Sequence, residues 1–539
     1  MKRRTTEEKT RKTARAGSGA VAVAAPMESA GSPGGGADWS TRLAQVNWTP
    51  WLIVALGAFL RVFLLAIKPP HFDEGINGWF VDQMTKQGFY RYDPTNYHGP
   101  LHFYILFLSQ TLFGRNLWAL RMPVVLGSIF CIWLTLRYEP IVGRTISRWA
   151  AVAMAVSPGF VFYGRYSIHE VWLLLFQLLF TLGLLGLWRI GTPRYLWCAG
   201  MGVAGMILTK ETYIIHLGCA ALAVLVTWIS HKITRAENTK PAPQTWDYLD
   251  VAAIVLVGVA AIIFFYSGTF MNWHGLKGLG ETFGAWFKTG SNGNGHEKPW
   301  NYWLKLIGQY EAPVAIGLIA CVFCQLFRNI SLRYLAIYGV GVLAAYSIVH
   351  YKTPWCIISV VWPLLFLFGA GLQLVPAQHR RVANIIAAIV LLVSLGQSIR
   401  LNYFRCTTDT EPYVYVQTYN DINKLTEPVL KLARKDPRKY QMIGHMIRTS
   451  AYPFPWILGD FPRIGYYEKD NLPNTVDADF LVVQEDRIGT VEAKLTGSYY
   501  TMPMTIRPYQ DTSKLYLSAK TFHEFFPGKV PDFDGSTRR

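Results

Sequence analysis

Charge is scarce in this chain: only 16% of its 539 residues are Asp, Glu, Lys or Arg, against about 25% in soluble domains. Hydrophobic residues make up 51%, and long apolar stretches recur from residue 51 to residue 400. A wholly water-solvated fold is excluded, and an integral membrane protein is implied. Acidic residues are scarcer than basic ones, 34 against 52, for a net charge of +18. Residues 401–539 are nearly neutral, with 18 Lys/Arg and 17 Asp/Glu, so the excess lies almost entirely in 1–400. There it reads as a topology signal, and no nucleic-acid partner is expected. Cysteine is also sparse. Six of seven (Cys131, Cys198, Cys219, Cys321, Cys324 and Cys356) fall in apolar segments and Cys406 stands alone outside them, which excludes a disulfide within the C-terminal region. Cys321-x-x-Cys324 lies inside an expected span and reads as two small apolar residues. The membrane region has no Walker A loop and no Rossmann glycine fingerprint, which argues against a soluble nucleotide donor.

The expected fold is a polytopic α-helical membrane protein of about eleven transmembrane helices with a C-terminal soluble α/β domain. Residues 1–46, Lys/Arg-rich and then rich in Ala, Gly, Ser and Pro, read as a disordered basic cytoplasmic tail without a cleavable signal peptide. The spans are expected at Trp51–Ile67, Leu120–Tyr138, Trp149–Tyr163, Val171–Trp188, Tyr195–Leu208, Tyr213–Ser230, Leu249–Ser267, Pro313–Phe327, Leu332–Val349, Cys356–Leu374 and Val382–Ile399. With the tail in the cytoplasm, the short connections Arg137–Arg148, Arg189–Arg194, His231–Lys240, Arg328–Arg333 and His379–Arg381 are cytoplasmic and basic. The alternate, external face receives Asp73/Glu74, Arg165–Glu170, Lys210/Glu211, the 268–311 segment and Tyr351–Trp355. His98–Gly114 is apolar but opens with two histidines, and a span there would invert every later loop. It is therefore expected as a helix lying at the external interface, within one long external loop 68–119. The Gly-containing loop 268–311 is expected as a mobile cover.

These assignments describe a membrane domain at 47–400 and an external (periplasmic) domain at 401–539 of a multi-pass protein of the plasma (inner) membrane. In the C-terminal domain strands are expected at Tyr413–Gln417, Gln441–Met446 and Phe480–Gln484, and an amphipathic helix at Asp421–Lys435. Tyr452-Pro-Phe-Pro-Trp456 reads as a rigid aromatic loop, facing the membrane or packing.

Every cluster with carboxylate, imidazole or buried cation lies at the external end of a span. An acidic pair where hydrocarbon meets water is costly and not needed for packing, which marks Asp73 and Glu74 as functional candidates. With Arg165, His169, Glu170, Lys210, Glu211, Tyr351 and Lys352 they outline an external cavity carrying both signs of charge. Such a cavity suits transfer from a lipid phosphate. A carboxylate takes the proton of an incoming hydroxyl, and Lys or Arg stabilises the departing phosphate.

The stretch HFDEG at 71–75, HGPLHFY at 98–104, Arg121, Gly143-Arg144 and GRYSIHE at 164–170 together resemble the GT-C membrane glycosyltransferases, in particular the protein O-mannosyltransferase and aminoarabinose-transferase group. TKE at 209–211, YKTPW at 351–355 and the Tyr-Pro-Phe-Pro-Trp loop resemble a prokaryotic subgroup of it. The resemblance covers about residues 47–400. It implies an inverting transfer from a polyprenyl-phosphate sugar to an acceptor hydroxyl or phosphate on a protein, lipid or glycan. It implies Asp73 as base with Glu74 beside it, and His98-Gly-Pro-Leu101 in place of the family's His- or Lys-Pro-Pro-Leu. Arg165 followed by His169-Glu170 stands where the family has Arg followed by Asp. Lys352, Arg165, Lys210, Tyr351, His98, Glu170 and Glu211 are then the candidates for donor phosphate and substrate.

Other readings stay open. Lys352 snorkels, Arg165 flanks a span, Lys210 and Glu211 form a neutralising pair, and Glu74, His98 and His102 hold a divalent metal. Beyond that divalent metal, no cofactor is indicated. The rival functions are a non-catalytic translocation component for lipid-linked sugars and an envelope-assembly scaffold.

Overall fold

The computed structural model describes residues 47–96, 98–234, 241–292, 295–468 and 471–538. The tail 1–46 and part of the connection after residue 234 lie outside them. The membrane half runs α1 (Thr49–Val62), α2 (Phe72–Gln87), α3 (Leu101–Phe113), α4 (Leu117–Leu136), α5 (Arg144–Val156), α6 (Pro158–Tyr163), α7 (Glu170–Arg189), α8 (Pro193–Ile207), α9 (Tyr213–Thr234) and α10 (Tyr248–Tyr266). It continues through α11 (His274–Asn292), α12 (Tyr302–Tyr310), α13 (Ala312–Val322), α14 (Ile330–Ile348), α15 (Ile357–Leu374) and α16 (Arg380–Ile399).

A helix stands at each of the eleven expected spans. Among the described residues seven helices are long and apolar enough to cross a membrane. An eighth crossing forms if α12 and α13, bent by 119° at Glu311, count as one. Beside α13, with 11 residues, three further expected spans are shorter than a bilayer core. α1 has 14 residues, roughly 21 Å at 1.5 Å per residue. α5 and α6 are separated at Ser157-Pro158, where proline cannot donate to the ladder. α8 has 15 residues. The outward faces carry apolar side chains: Leu249, Val255, Leu256 and Val259 of α10, and Ile385, Ile389 and Leu392 of α16. Both helices therefore present an oily face away from the protein, as a bilayer requires.

Two expected loops are mostly helical. Residues 68–119 hold α2 and α3, and 268–311 hold α11 and α12. α2 forms at Phe72 because its first turn is capped from both directions. The His71 ring accepts from the Asp73 N–H (3.1 Å), and the Glu74 carboxylate accepts from the His71 N–H (2.8 Å). This is a capping box with histidine in the usual Ser/Thr place.

The C-terminal domain is a six-stranded mixed sheet ordered β2-β1-β3-β5-β4-β6. The helix α17 (Asn423–Lys435) precedes β1 (Gly444–Ile447), α18 (Phe454–Ile457), β2 (Ile464–Tyr467), β3 (Phe480–Gln484), β4 (Ser498–Met504), β5 (Ser513–Ser518) and β6 (Phe533–Asp534). β1 runs parallel to β2 and β3, whereas β3, β5, β4 and β6 pair antiparallel. In β3, Phe480 and Val482 pack with α17 residues Leu425 and Val429, while Leu481 and Val483 pack with Val491 and Tyr516. Burial on both faces makes Phe480-Leu-Val-Val continuously apolar.

Residues 413–417, expected as a strand, form none. They are an irregular ribbon on the membrane half, held by its side chains. Tyr163 donates to the Tyr413 carbonyl (3.0 Å) and Tyr166 to Gln417 Oε1 (2.7 Å). The aromatic loop at 452–456 packs onto α2. A Cβ on Gly75 would lie 2.6 Å from Pro453 Cα, and one on Gly78 would lie 2.4 Å from Trp456 Cδ1. These glycines let backbone and indole approach α2. Gly78→Val is expected to cost about 1–3 kcal/mol of this docking by overpacking. Limited proteolysis in detergent should then release the C-terminal domain earlier. Gly218→Ala, whose Cβ meets nothing within 4 Å, should leave the digestion pattern unchanged.

Candidate active site

The connections expected on one face line a single cavity of about 690 Å³. α2 contributes Asp73, α7 begins with Glu170 behind His169, and the α8–α9 turn supplies Lys210 and Glu211. The α14–α15 connection adds Tyr351, Lys352 and Trp355, and His98 enters just before α3. Two isolated backbone bridges fix these loops: His98 pairs with Lys210, and Glu297 with Tyr351. Neighbouring bonds reinforce each bridge, such as the Gly99 N–H to the Thr209 carbonyl and the Lys352 N–H to the His296 carbonyl, both 3.0 Å.

Asp73 faces the cavity with a third of its side chain exposed, 3.8 Å from His71 Nδ1. His71 is fully buried, and its ring is oriented by two contacts. Nδ1 accepts from the Asp73 N–H, so Nε2 carries the proton and donates to the Tyr415 carbonyl (2.8 Å). Burial lowers its pKa, which keeps the ring neutral.

Glu74 does not share the cavity. It is fully buried and accepts from Arg121 Nε (2.8 Å), Arg121 Nη2 (2.7 Å), the Ser167 N–H (2.9 Å) and the His71 N–H. Burial pushes its carboxyl up, but the Arg121 guanidinium outweighs that and holds it down at about 2. Glu74, expected beside Asp73 at the reacting centre, thus lies outside the cavity lining with its four acceptor positions used internally.

Arg165, expected at the donor phosphate, is likewise away from the cavity. It is buried and donates to the carbonyls of Leu60 (2.9 Å), Phe63 and Leu64 (both 2.7 Å). Leu60 lies in the last turn of α1, and Phe63 and Leu64 in the turn that follows it, where Leu64 takes a φ of 47°. Arg121 serves Leu65, Lys68 and Pro69 in the same way. Two arginines thus stabilise an irregular turn that sequence reasoning read as the last residues of a span.

Lys210 contacts Glu170 and lies near Glu211, which in turn meets His98 Nδ1 at 3.0 Å. Burial disfavours its charge, yet Cys356, Glu170 and Glu211 together more than offset this, and its ammonium is held well above its usual range. Lys352 is almost fully buried and donates to the carbonyls of Val349 and Lys298 (3.2 Å for the latter), and burial lowers its pKa. The set Glu74, His98 and His102 is not assembled. His102 is buried and accepts from the Trp172 indole (3.0 Å). Among the described residues no three His, Cys, Asp or Glu side chains converge as metal ligands.

The cavity also holds groups that sequence reasoning did not single out: Trp286 and Phe287 of α11, His296, and Arg507 from the β4–β5 loop. α11 therefore forms part of the cavity wall. His296 Nδ1 lies 2.7 Å from the Tyr415 hydroxyl.

The described residues thus combine a bundle of apolar helices, a mixed sheet domain docked against it and a polar cavity at their junction. Residues 97–265 match the family model described as dolichyl-phosphate-mannose-protein mannosyltransferase. In fold the chain is similar to the crystal structure of ArnT from Cupriavidus metallidurans bound to undecaprenyl phosphate. The TM-score is 0.56 at 14% identity, covering 87% of this chain and 98% of that one. It is similar also to the apo state of the same enzyme, with a TM-score of 0.51 at 13% identity, covering 90% and 98%. Among the curated proteins no sequence matches. The chain thus shares the fold of the ArnT structures, and a stretch within its membrane half matches the mannosyltransferase family model.

Proposed function

We propose that this protein is an inverting glycosyltransferase that moves a sugar from a polyprenyl-phosphate donor to an acceptor hydroxyl or phosphate at the external face of the plasma membrane. The observation that carries the reading is Asp73, a partly exposed carboxylate in a cavity that also contains Lys210, Lys352 and Arg507. The undecaprenyl phosphate bound to ArnT supports the class of donor.

With a hydroxyl acceptor, Asp73 takes its proton as the oxygen attacks the anomeric carbon. The new C–O bond forms while the bond from that carbon to the phosphate oxygen breaks. The electron pair leaves on the phosphate, and the products are the glycoside and polyprenyl phosphate. Asp73 supplies general-base catalysis, and the cations stabilise the charge gathering on the leaving group. The α2 N-terminus keeps Asp73 in place, because His71 fixes the first turn from both ends. Protein, lipid or glycan surfaces are the acceptor classes that reach a cavity open beside a membrane.

The test is the full chain reconstituted in vesicles with a radiolabelled polyprenyl-phosphate sugar and an acceptor-containing membrane extract. Label is expected to pass to an acceptor with release of polyprenyl phosphate. Label that crosses the bilayer still attached to its lipid would instead identify a translocation component, and label that does neither would identify a scaffold.

A further inference from the structure

Three Lys or Arg side chains line the cavity, and they are not equivalent. Lys210 contacts Glu170 and sits beside Glu211, so two carboxylates already balance its charge. A donor phosphate is served best by cations that it does not have to share. Among the described residues Lys352 and Arg507 line the cavity without a carboxylate at ion-pair distance.

Arg507 comes from the C-terminal domain, and the two residues before it are held in place. The Thr505 N–H donates to Asp421 (3.1 Å), and the Ile506 carbonyl accepts from the Tyr419 N–H (2.8 Å), with the Ile506 side chain buried in the domain core. Its guanidinium carbon lies 3.6 Å from the ring centre of Phe72, the residue before Asp73. Its Nε is buried and has no hydrogen-bond partner. A guanidinium anchored on an aromatic ring, with a buried donor unused, is prepared for an oxyanion.

Resting on the reading of the donor as a polyprenyl-phosphate sugar, we propose that Arg507 binds the donor phosphate together with Lys352, so that the C-terminal domain supplies part of the donor site. The chemistry favours an arginine there. The donor is a phosphodiester with one negative charge, and the product is a monoester that approaches two as the glycosidic bond breaks. A guanidinium meets that growing charge with two parallel N–H donors and keeps its own proton throughout.

The test measures binding of undecaprenyl phosphate and of the neutral alcohol undecaprenol to the purified full chain, with thermal midpoints recorded for each protein. The native chain is expected to prefer the phosphate. Arg507→Gln should weaken undecaprenyl phosphate by roughly ten- to a hundredfold, the range of one lost charge-assisted pair, and leave undecaprenol unchanged. Arg507→Lys should restore part of the loss, and it carries the test if the glutamine variant does not fold. Phosphate binding unchanged in Arg507→Gln overturns the proposal. Equal loss of phosphate and alcohol overturns it too, because Arg507 would then merely shape the cavity. A native chain with no preference for the phosphate defeats the donor reading itself, and this proposal with it.

Discussion

Asp73→Asn is expected to lower sugar transfer by about two to four orders of magnitude, the usual contribution of a general base. Binding of lipid phosphate and thermal stability should stay near native values. The structure gives the reason for this separation. Asp73 has a third of its side chain exposed, and the capping bond it makes to His71 uses its backbone N–H, which the asparagine retains. The loss is limited to a charge in the first helical turn, worth about 0.3–1 kcal/mol. The measurement is initial transfer rate at saturating donor, beside a melting curve on the same preparation. Near-native turnover in Asp73→Asn would remove the base from the mechanism.

Glu74→Gln should do the reverse: a large loss of stability with near-native turnover in whatever fraction folds. Removing one partner of a buried ion pair typically costs about 3–5 kcal/mol, and Arg121 would be left fully buried without its carboxylate. The effect reads out as a lower melting temperature and lower yield in detergent. A double variant with Arg121→Met should recover part of it, since the two changes are coupled. pH adds a second signature. The carboxyl titrates at about 2 instead of 4.5. Its contribution to stability is therefore complete above about 4.5 and declines as pH falls towards 2. Glu74→Gln should flatten the acid dependence of stability in that window. A well-folded but inactive Glu74→Gln would instead make Glu74 a reacting group.

These two expectations divide a pair of adjacent acids that composition and position alone treat alike, and that only the family resemblance separates into base and neighbour. Position beside a span, the cost of charge there and the basic connections brought Asp73, His98, Glu170, Lys210, Glu211, Tyr351 and Lys352 together, and all of them line the cavity. The helices at the eleven expected positions were legible for the same reason, because hydrocarbon forces long apolar runs into helices. Partners at long range were not legible. Arg165 looked like a ligand because an arginine beside a span has no visible acceptor in sequence. Its acceptors are carbonyls about a hundred residues earlier, exposed only because α1 stops at Val62. Tyr413–Gln417 alternates like a strand, but its hydrogen bonds go to side chains of the membrane half instead of a neighbouring strand. Arg507 is one of 18 Lys/Arg after residue 400, and nothing local distinguishes it. Only the docking of the sheet onto α2 brings it to the cavity.

The bond from His71 to the Tyr415 carbonyl joins residues 344 positions apart, and this sets the order of events during synthesis. Asp73 and its local cap are made early, yet the Tyr415 carbonyl that receives the His71 Nε2–H is made only after every membrane helix in the sequence. Arg507 arrives later still. A nascent or truncated chain therefore carries its carboxylate without the groups that position and complement it.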